Sequence, residues 1–591
     1  MTREQSRKWR RPDNWLTQVG MGLASFAALG LMACTGAVSG GSGPGSGEGT
    51  DRGAGPSQPG RGGNGSTTGN GDPLPPLDPN PTKPQVEACK TINPGPAPLR
   101  RLTRAEFDNT VRDLLGVDDK LGADFPEEAR PFGFDNNAEL NPVTGLLAEG
   151  YVAAAEKLAT AAVAKLDSLL ACDGSNEATC LDEFLDGFAQ RAWRRPLSTE
   201  ERDHLKRRFA ELKGDKFADG IEGLIQILLL SPQFLYRLEQ PVPIDGQAYG
   251  RLDHYAMASR LSYLLWNSMP DEALFQAAGG GKLGTRDEIS THAKRMLSDP
   301  KATAMVGRFA GQWLDLVRLA DVEKDPETYP DFTTAHLDLF RQETEEFFQH
   351  VWKTDGKVSS LLTANFSFMN GPLASFYGIS GANGDAFGKV DVPAERAGFL
   401  TQASFLAHYA KIDQSSPVHR GVAVQENLLC FHLPEPPPDI VDGTPVSLNP
   451  NMTTKERFAA HRNNPSCESC HRYIDPIGFG FENFDAVGRY RTMDAGKPVD
   501  ASGQLTDTDV DGPFVGAAEL AKRLGESQQV QNCVASKWFS FAFGREPNKD
   551  QDACTVATLN QAMEKSGGDL RELLLTITQT DTFLFTAAGG Q

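Results

Sequence analysis

The stretch Pro465-Ser466-Cys467-Glu468-Ser469-Cys470-His471 decides how the C-terminal third of the chain is read. Cys467 and Cys470 stand three apart with His471 directly after, the C-x-x-C-H pattern of covalent c-type haem attachment. Two thiols at that spacing on a helical turn add to the haem vinyl groups. The adjacent imidazole of His471 then reaches the iron as proximal ligand. Half a zinc site is the first competing reading, but no second Cys pair completes it. A redox dithiol is the second, but it needs a βαβ context that the flanking sequence lacks. The expected cofactor is one covalent haem c on Cys467 and Cys470, with His471 as metal ligand.

The other cysteines fit an exported protein. There are nine: Cys34, Cys89, Cys172, Cys180, Cys430, Cys467, Cys470, Cys533 and Cys554. Cys34 ends Leu31-Met32-Ala33-Cys34, a lipobox after the basic Arg3, Arg7, Lys8, Arg10 and Arg11 and an apolar run from Val19. Residues 1–33 are read as a lipoprotein signal peptide and Cys34 as the lipidated residue. With the haem pair set aside, six cysteines remain, and an even number in an oxidising compartment suggests three disulfides. Spacing pairs Cys172 with Cys180 across a short loop and Cys533 with Cys554 across two adjacent helices; Cys89 with Cys430 follows by elimination.

Residues 35–87 hold 15 Gly and 9 Pro and almost no large apolar side chain. Such a segment cannot bury enough surface to offset its ordering entropy, so residues 34–87 are expected to be a disordered tether. Beyond Cys89 the helical signals dominate. Thr103 with Glu106, and Ser198 with Glu201, are capping boxes that open helices. Phe340, Phe347, Phe348, Val351 and Trp352 recur at helical spacing and are read as core. Sustained period-2 strands and fixed-length repeats are missing from the sequence, as are His-Glu-x-x-His and Gly-x-Ser-x-Gly. The fold class is therefore mainly α: a multidomain helical protein with a C-terminal c-type cytochrome-like module. The modules are expected at 88–170, 171–240, 248–380, 395–495 (the haem module) and 510–591.

At 591 residues the chain is long enough for about four domains. Its formal net charge of -20 excludes nucleic-acid binding through a general basic face. The apolar run Ile221–Leu230 is too short to span a bilayer, so a polytopic membrane protein is excluded as well.

Several motifs also carry a family resemblance. His461-Arg-Asn-Asn-Pro-Ser-Cys467-Glu-Ser-Cys-His471-Arg-Tyr-Ile-Asp475-Pro476-Ile-Gly478-Phe479 runs on into Glu482-Asn-Phe-Asp485-Ala-Val-Gly488-Arg489-Tyr-Arg491. This resembles the cytochrome c domain of the planctomycete-type multidomain cytochromes, also found in myxobacteria, whose other modules are mostly domains of unknown function. The run from Arg101 to Gly116 resembles their first module, Arg191–Ser198 the second and Leu252–Asp271 the third. Ser416-Pro-Val-His-Arg-Gly421 resembles the opening of the haem module, and Phe543-Gly-Arg545 lies in the closing one. The resemblance implies a haem protein and names no substrate.

The sixth haem ligand stays open. His461, Met493, Met452 and His419 are candidates, with His461 ranked ahead of Met493. Asn464-Pro465 supplies a bend that returns His461 towards the iron. Met493 lies past an Asp475-Pro476 loop. Asp507-Thr-Asp509-Val-Asp511-Gly512 matches the first half of an EF-hand loop, but Ala518 stands where the bidentate acid belongs. The segment is read as an acidic turn and not as a calcium site.

The leading expectation is a lipid-anchored monohaem cytochrome on the periplasmic or extracellular face of the cell envelope, on the outer membrane. It would transfer electrons to or from a redox partner protein. The alternatives are a haem-dependent oxidoreductase or peroxidase-like enzyme, with Arg462 or His461 as distal group, and a surface binding protein whose haem is structural.

Overall fold

The computed structural model describes residues 89, 91–170, 172, 176–431, 433, 449, 451–459 and 465–587. Cys34, the tether, His461 and Arg462 lie outside these residues. The described chain is mainly α, with strands only in short antiparallel pairs and one three-stranded sheet. Among the described residues no helix is long and apolar enough to cross a membrane.

Helix α1 (Arg104–Leu115) starts at the Thr103–Glu106 capping box and stops at Gly116, whose φ of 66° ends the helix at no steric cost. Helices α2 (Gly145–Val163), α3 (Thr199–Leu212, opened by the Ser198–Glu201 box) and α4 (Phe217–Leu230) follow. Their apolar faces share a core around Phe107, Tyr151, Leu158, Leu205 and Leu224. The strand Arg100–Arg101 pairs antiparallel with Tyr236–Arg237 and closes this first body.

The rest of the chain builds a second, larger core. It takes in α5 (His254–Trp266), α6 (Pro300–Trp313), α7 (Ala335–Lys353), α8 (Pro417–Asn427) and α9 (Pro465–Phe479), then α10 (Gly516–Glu526), α11 (Gln528–Phe543), α12 (Ala553–Ser566) and α13 (Leu570–Ile577). The α7 aromatics Phe340, Phe347, Phe348 and Trp352 are all buried. Phe309 of α6 stacks on Trp538 of α11 with ring centroids 3.7 Å apart, so residues 229 apart in sequence share one interior.

The last strand among the described residues returns to the middle of the chain. Phe585–Ala587 pairs antiparallel with Tyr249–Leu252, which also pairs with Pro241–Pro243. Beside this sheet the buried Arg260 donates to the carbonyls of Thr582 and Phe583 and forms an ion pair with Glu239. Burial opposes the charge on Glu239, but Arg260, Arg237 and Arg100 hold its carboxyl down at about 2. Removing one partner of so buried a pair typically costs about 3–5 kcal/mol.

The disulfides correct the sequence pairing. Cys172–Cys180 forms as expected, but Cys89 joins Cys554 and Cys430 joins Cys533. The reason is helix direction. Cys533 lies near the start of α11 and Cys554 near the start of α12, which begins only after α11 has ended. About ten residues of α11 separate Cys533 from that end, a rise of about 15 Å, while a bridge tolerates Cα atoms only about 7 Å apart.

Candidate functional site

Helix α9 opens with Pro465, whose fixed φ suits a first helical position. It runs through Cys467, Cys470 and His471 to Phe479. The expected break at Asp475-Pro476 is absent, and Pro476 stays inside the last turn of the helix. Packing overrides the local preference here: Ile474 and Ile477 are buried on either side of it.

The packing partner is α8, and the approach is close enough to dictate residue type. A Cβ on Gly421 would stand 2.2 Å from the Ile474 carbonyl oxygen, and one on Gly478 would stand 1.9 Å from that of Pro417. Both positions admit only glycine unless the helices part. Buried Arg420 locks the pair from one side, donating to the carbonyls of Leu406, Phe481, Phe484 and Asp485 at 2.7–3.1 Å. Burial lowers its guanidinium to about 10.

The motif acids after α9 prove to be scaffolding. Glu482 accepts from Ser415 and Arg491, each at 2.9 Å. Asp485 accepts from the backbone of Val487 and Arg489 and shapes the turn.

His471 and Asp475 are one helical turn apart and meet. Nδ1 of His471 lies 2.9 Å from Oδ1 of Asp475; the imidazole is 19% exposed and the carboxylate fully buried. A carboxylate only accepts, so Nδ1 carries the hydrogen; in the neutral ring this leaves the lone pair on Nε2. Oδ2 of Asp475 has no hydrogen bond. Sequence reasoning quoted Asp475 without giving it a role, although the His-x-x-x-Asp spacing on a helix was the signal for it.

Cys470 is partly exposed and is the free thiol among the described residues, where every other described cysteine side chain is in a disulfide. Cys467 lies on the same helix, with its side chain outside the described residues. Next to α9, Phe431 packs on Tyr473 with centroids 5.5 Å apart, and Gln425 donates to the Tyr473 carbonyl. The Cys430–Cys533 bridge pins the chain at the end of α8.

Met493 is 50% exposed, on a two-residue strand paired with Lys497–Pro498. Its neighbour Asp494 accepts from the Thr454 backbone and from Arg491. His419 lies on α8 and Met452 just before the helix Thr454–Ala459.

The acidic turn has a structural role. Asp509 accepts from the Ser527 hydroxyl and from the backbone of Gln528 and Gln529, and so supports the N-terminus of α11. Asp511 accepts from the backbone of Asp507 and Thr508. Among the described residues no cluster of three or more His, Cys, Asp or Glu is arranged to hold a metal ion.

Five family models match in order along the chain, each a protein of unknown function. DUF1587 covers residues 100–164 and DUF1595 covers 180–239. DUF1592 covers 252–379, DUF1588 covers 396–494 and DUF1585 covers 511–583. This is the planctomycete cytochrome-c-associated multidomain set. Helices α8 and α9, with Cys470 and His471, fall within the DUF1588 match. No curated protein and no solved structure matches the chain.

Proposed function

We propose that this protein is a lipid-anchored monohaem c-type cytochrome of the cell envelope that transfers single electrons. The observation that carries the reading is the α9 donor set. A thiol left out of the disulfides stands beside an imidazole whose Nδ1 is held by a buried carboxylate, on a helix that also bears Cys467.

These residues fit covalent haem. Cys467 and Cys470 would supply the two thioether bonds, and His471 the proximal nitrogen through Nε2. When bound, the haem supplies one-electron cycling between ferrous and ferric iron. Asp475 accepts the Nδ1 hydrogen, which fixes the ring's tautomer and orientation and makes Nε2 more basic. Gly421 and Gly478 let α8 close against one face of α9. Arg420 and Glu482 hold the turn beneath it.

The three disulfides support an extracytoplasmic location, where such bridges persist. Cys34 would carry the lipid, with residues 35–87 as the tether. The partner would be a redox protein of the envelope, met through an acidic surface.

A reduced-minus-oxidised spectrum of the purified chain, repeated under carbon monoxide, tests this reading. A c-type spectrum that cycles with redox agents and resists carbon monoxide is expected. A spectrum without haem bands overturns it, and rapid carbon monoxide binding moves the protein to the enzyme class.

A further inference from the structure

Beside the turn that follows α9 lies a second buried polar cluster, built on Glu343 of α7. Each carboxyl oxygen accepts one hydroxyl hydrogen: Oε2 from Tyr377 at 2.5 Å and Oε1 from Ser367 at 2.6 Å. Both hydroxyl oxygens are in turn filled from behind. The Ala403 backbone N–H donates to the Tyr377 oxygen at 2.9 Å, and the Gln402 side-chain amide donates to Ser367 at 3.0 Å. An N–H only donates, so the phenol accepts there and sends its own hydrogen to Glu343. Burial and the Glu343 charge push the phenol well above its ordinary value, so it keeps that hydrogen.

The charged group facing this cluster is Arg396. Its guanidinium lies 4.3 Å over the Tyr377 ring and 5.0 Å over the Phe484 ring, and Asp485 and Glu395 are the other acids that act on it. Both arms of the cluster end on Gly488 in the turn 484–489. Arg396 donates to the Gly488 carbonyl at 2.7 Å, and a Cβ on Gly488 would stand 2.9 Å from Cα and Cβ of Ala403. Burial pushes the Glu343 carboxyl up to about 7, against the two hydroxyls and Arg396, which favour its charge. The donor arrangement suits the carboxylate. A proton added to either oxygen meets a hydroxyl whose own hydrogen already points at Glu343, so one of the two hydrogens is left without an acceptor. A hydroxyl hydrogen that turns aside competes with the N–H behind it, and for Tyr377 that N–H belongs to Ala403.

We propose that Glu343 is a pH-sensitive latch on the turn after α9. Ionised, it completes the cluster and holds Ala403 and Arg396 against Gly488; protonated, it loosens both contacts. The latch needs no haem, so its failure would leave the electron-transfer reading intact.

Hydrogen exchange of the full chain from about pH 5.5 to about pH 8.5 tests it, with each rate divided by the intrinsic rate at that pH. The amides of Ala403, Gly488 and Arg489 should gain about tenfold in protection as the pH rises through about 7, the equivalent of one hydrogen bond. The amides of α1 in the first body should show no such gain. Global stability moves the other way over this range, because burial favours the protonated acid, so a global effect would lower protection everywhere. Glu343→Gln should hold the three amides at the low protection of the acid form at every pH. Tyr377→Phe, which cuts the link between Glu343 and Ala403, should remove the gain at Ala403, with circular dichroism confirming that each variant is folded. A flat profile in the wild type, a gain shared by α1, or a gain at Ala403 that persists in either variant would overturn the inference.

Discussion

Gly478→Ala is the sharpest perturbation of the helix pair that frames the site. The new Cβ would lie 1.9, 2.4 and 2.7 Å from the oxygen, carbonyl carbon and Cα of Pro417. All three are backbone atoms of the first turn of α8, so no side chain can swing aside, and α8 must move by about 1 Å or more. Overpacking of a tight interior costs about 1–3 kcal/mol, and rigid backbone places this case at the top of that range. Alanine regains up to about 1 kcal/mol of helix propensity over glycine, leaving a net loss of about 2 kcal/mol. Gly311→Ala in α6 is the control, because its Cβ would meet nothing within 4 Å. Urea unfolding followed by circular dichroism should show Gly478→Ala destabilised and Gly311→Ala unchanged or slightly stabilised. If the two variants move together, the close α8–α9 approach is wrong.

Asp475→Asn keeps an acceptor for the His471 Nδ1 hydrogen but removes the charge. A hydrogen bond to a charged group is worth about 1.5–3 kcal/mol, and only the part that differs between oxidation states moves the potential. The oxidised state loses more, so a spectroelectrochemical titration should show the midpoint rising by about 50 mV, at about 59 mV per tenfold change; an unchanged or lower potential contradicts the pairing. Peptide mapping without reduction should recover Cys89 with Cys554 and Cys430 with Cys533, and replacing both members of the second pair by serine should cost about 2–5 kcal/mol. Buried Glu343 accepts from Ser367 and Tyr377, and desolvation raises its carboxyl to about 7. The folded state therefore prefers the protonated form, and stability should fall by up to about 3 kcal/mol from pH 4.5 to about 7 as the unfolded chain ionises. Glu343→Gln should flatten that part of the stability–pH curve, and an unaltered slope would exclude Glu343 as its source.

Local chemistry was legible in the sequence, and topology was not. Both capping boxes, the α7 aromatic stripe and the short Cys172–Cys180 loop depend on residues within about a dozen positions of each other, and each forms as read. Cys89 and Cys554 are 465 residues apart, and no spacing rule reaches that far. The glycine at 478 says nothing by itself, because its reason lies in the Pro417 backbone 61 residues earlier. Pro476 signalled a break that burial of its neighbours overrides. Cys467, Cys470 and His471 could be picked out because they lie within five consecutive residues of one helix.

The central claim is that haem is attached through Cys467 and Cys470. The most direct measurement is a haem-stained denaturing gel of the purified chain beside Cys470→Ser and the double variant with Cys467→Ser. Covalent attachment predicts a stained band at the position of the full chain that fades in the single variant and vanishes in the double. A wild-type band without stain, or stain that survives loss of both thiols, would contradict it.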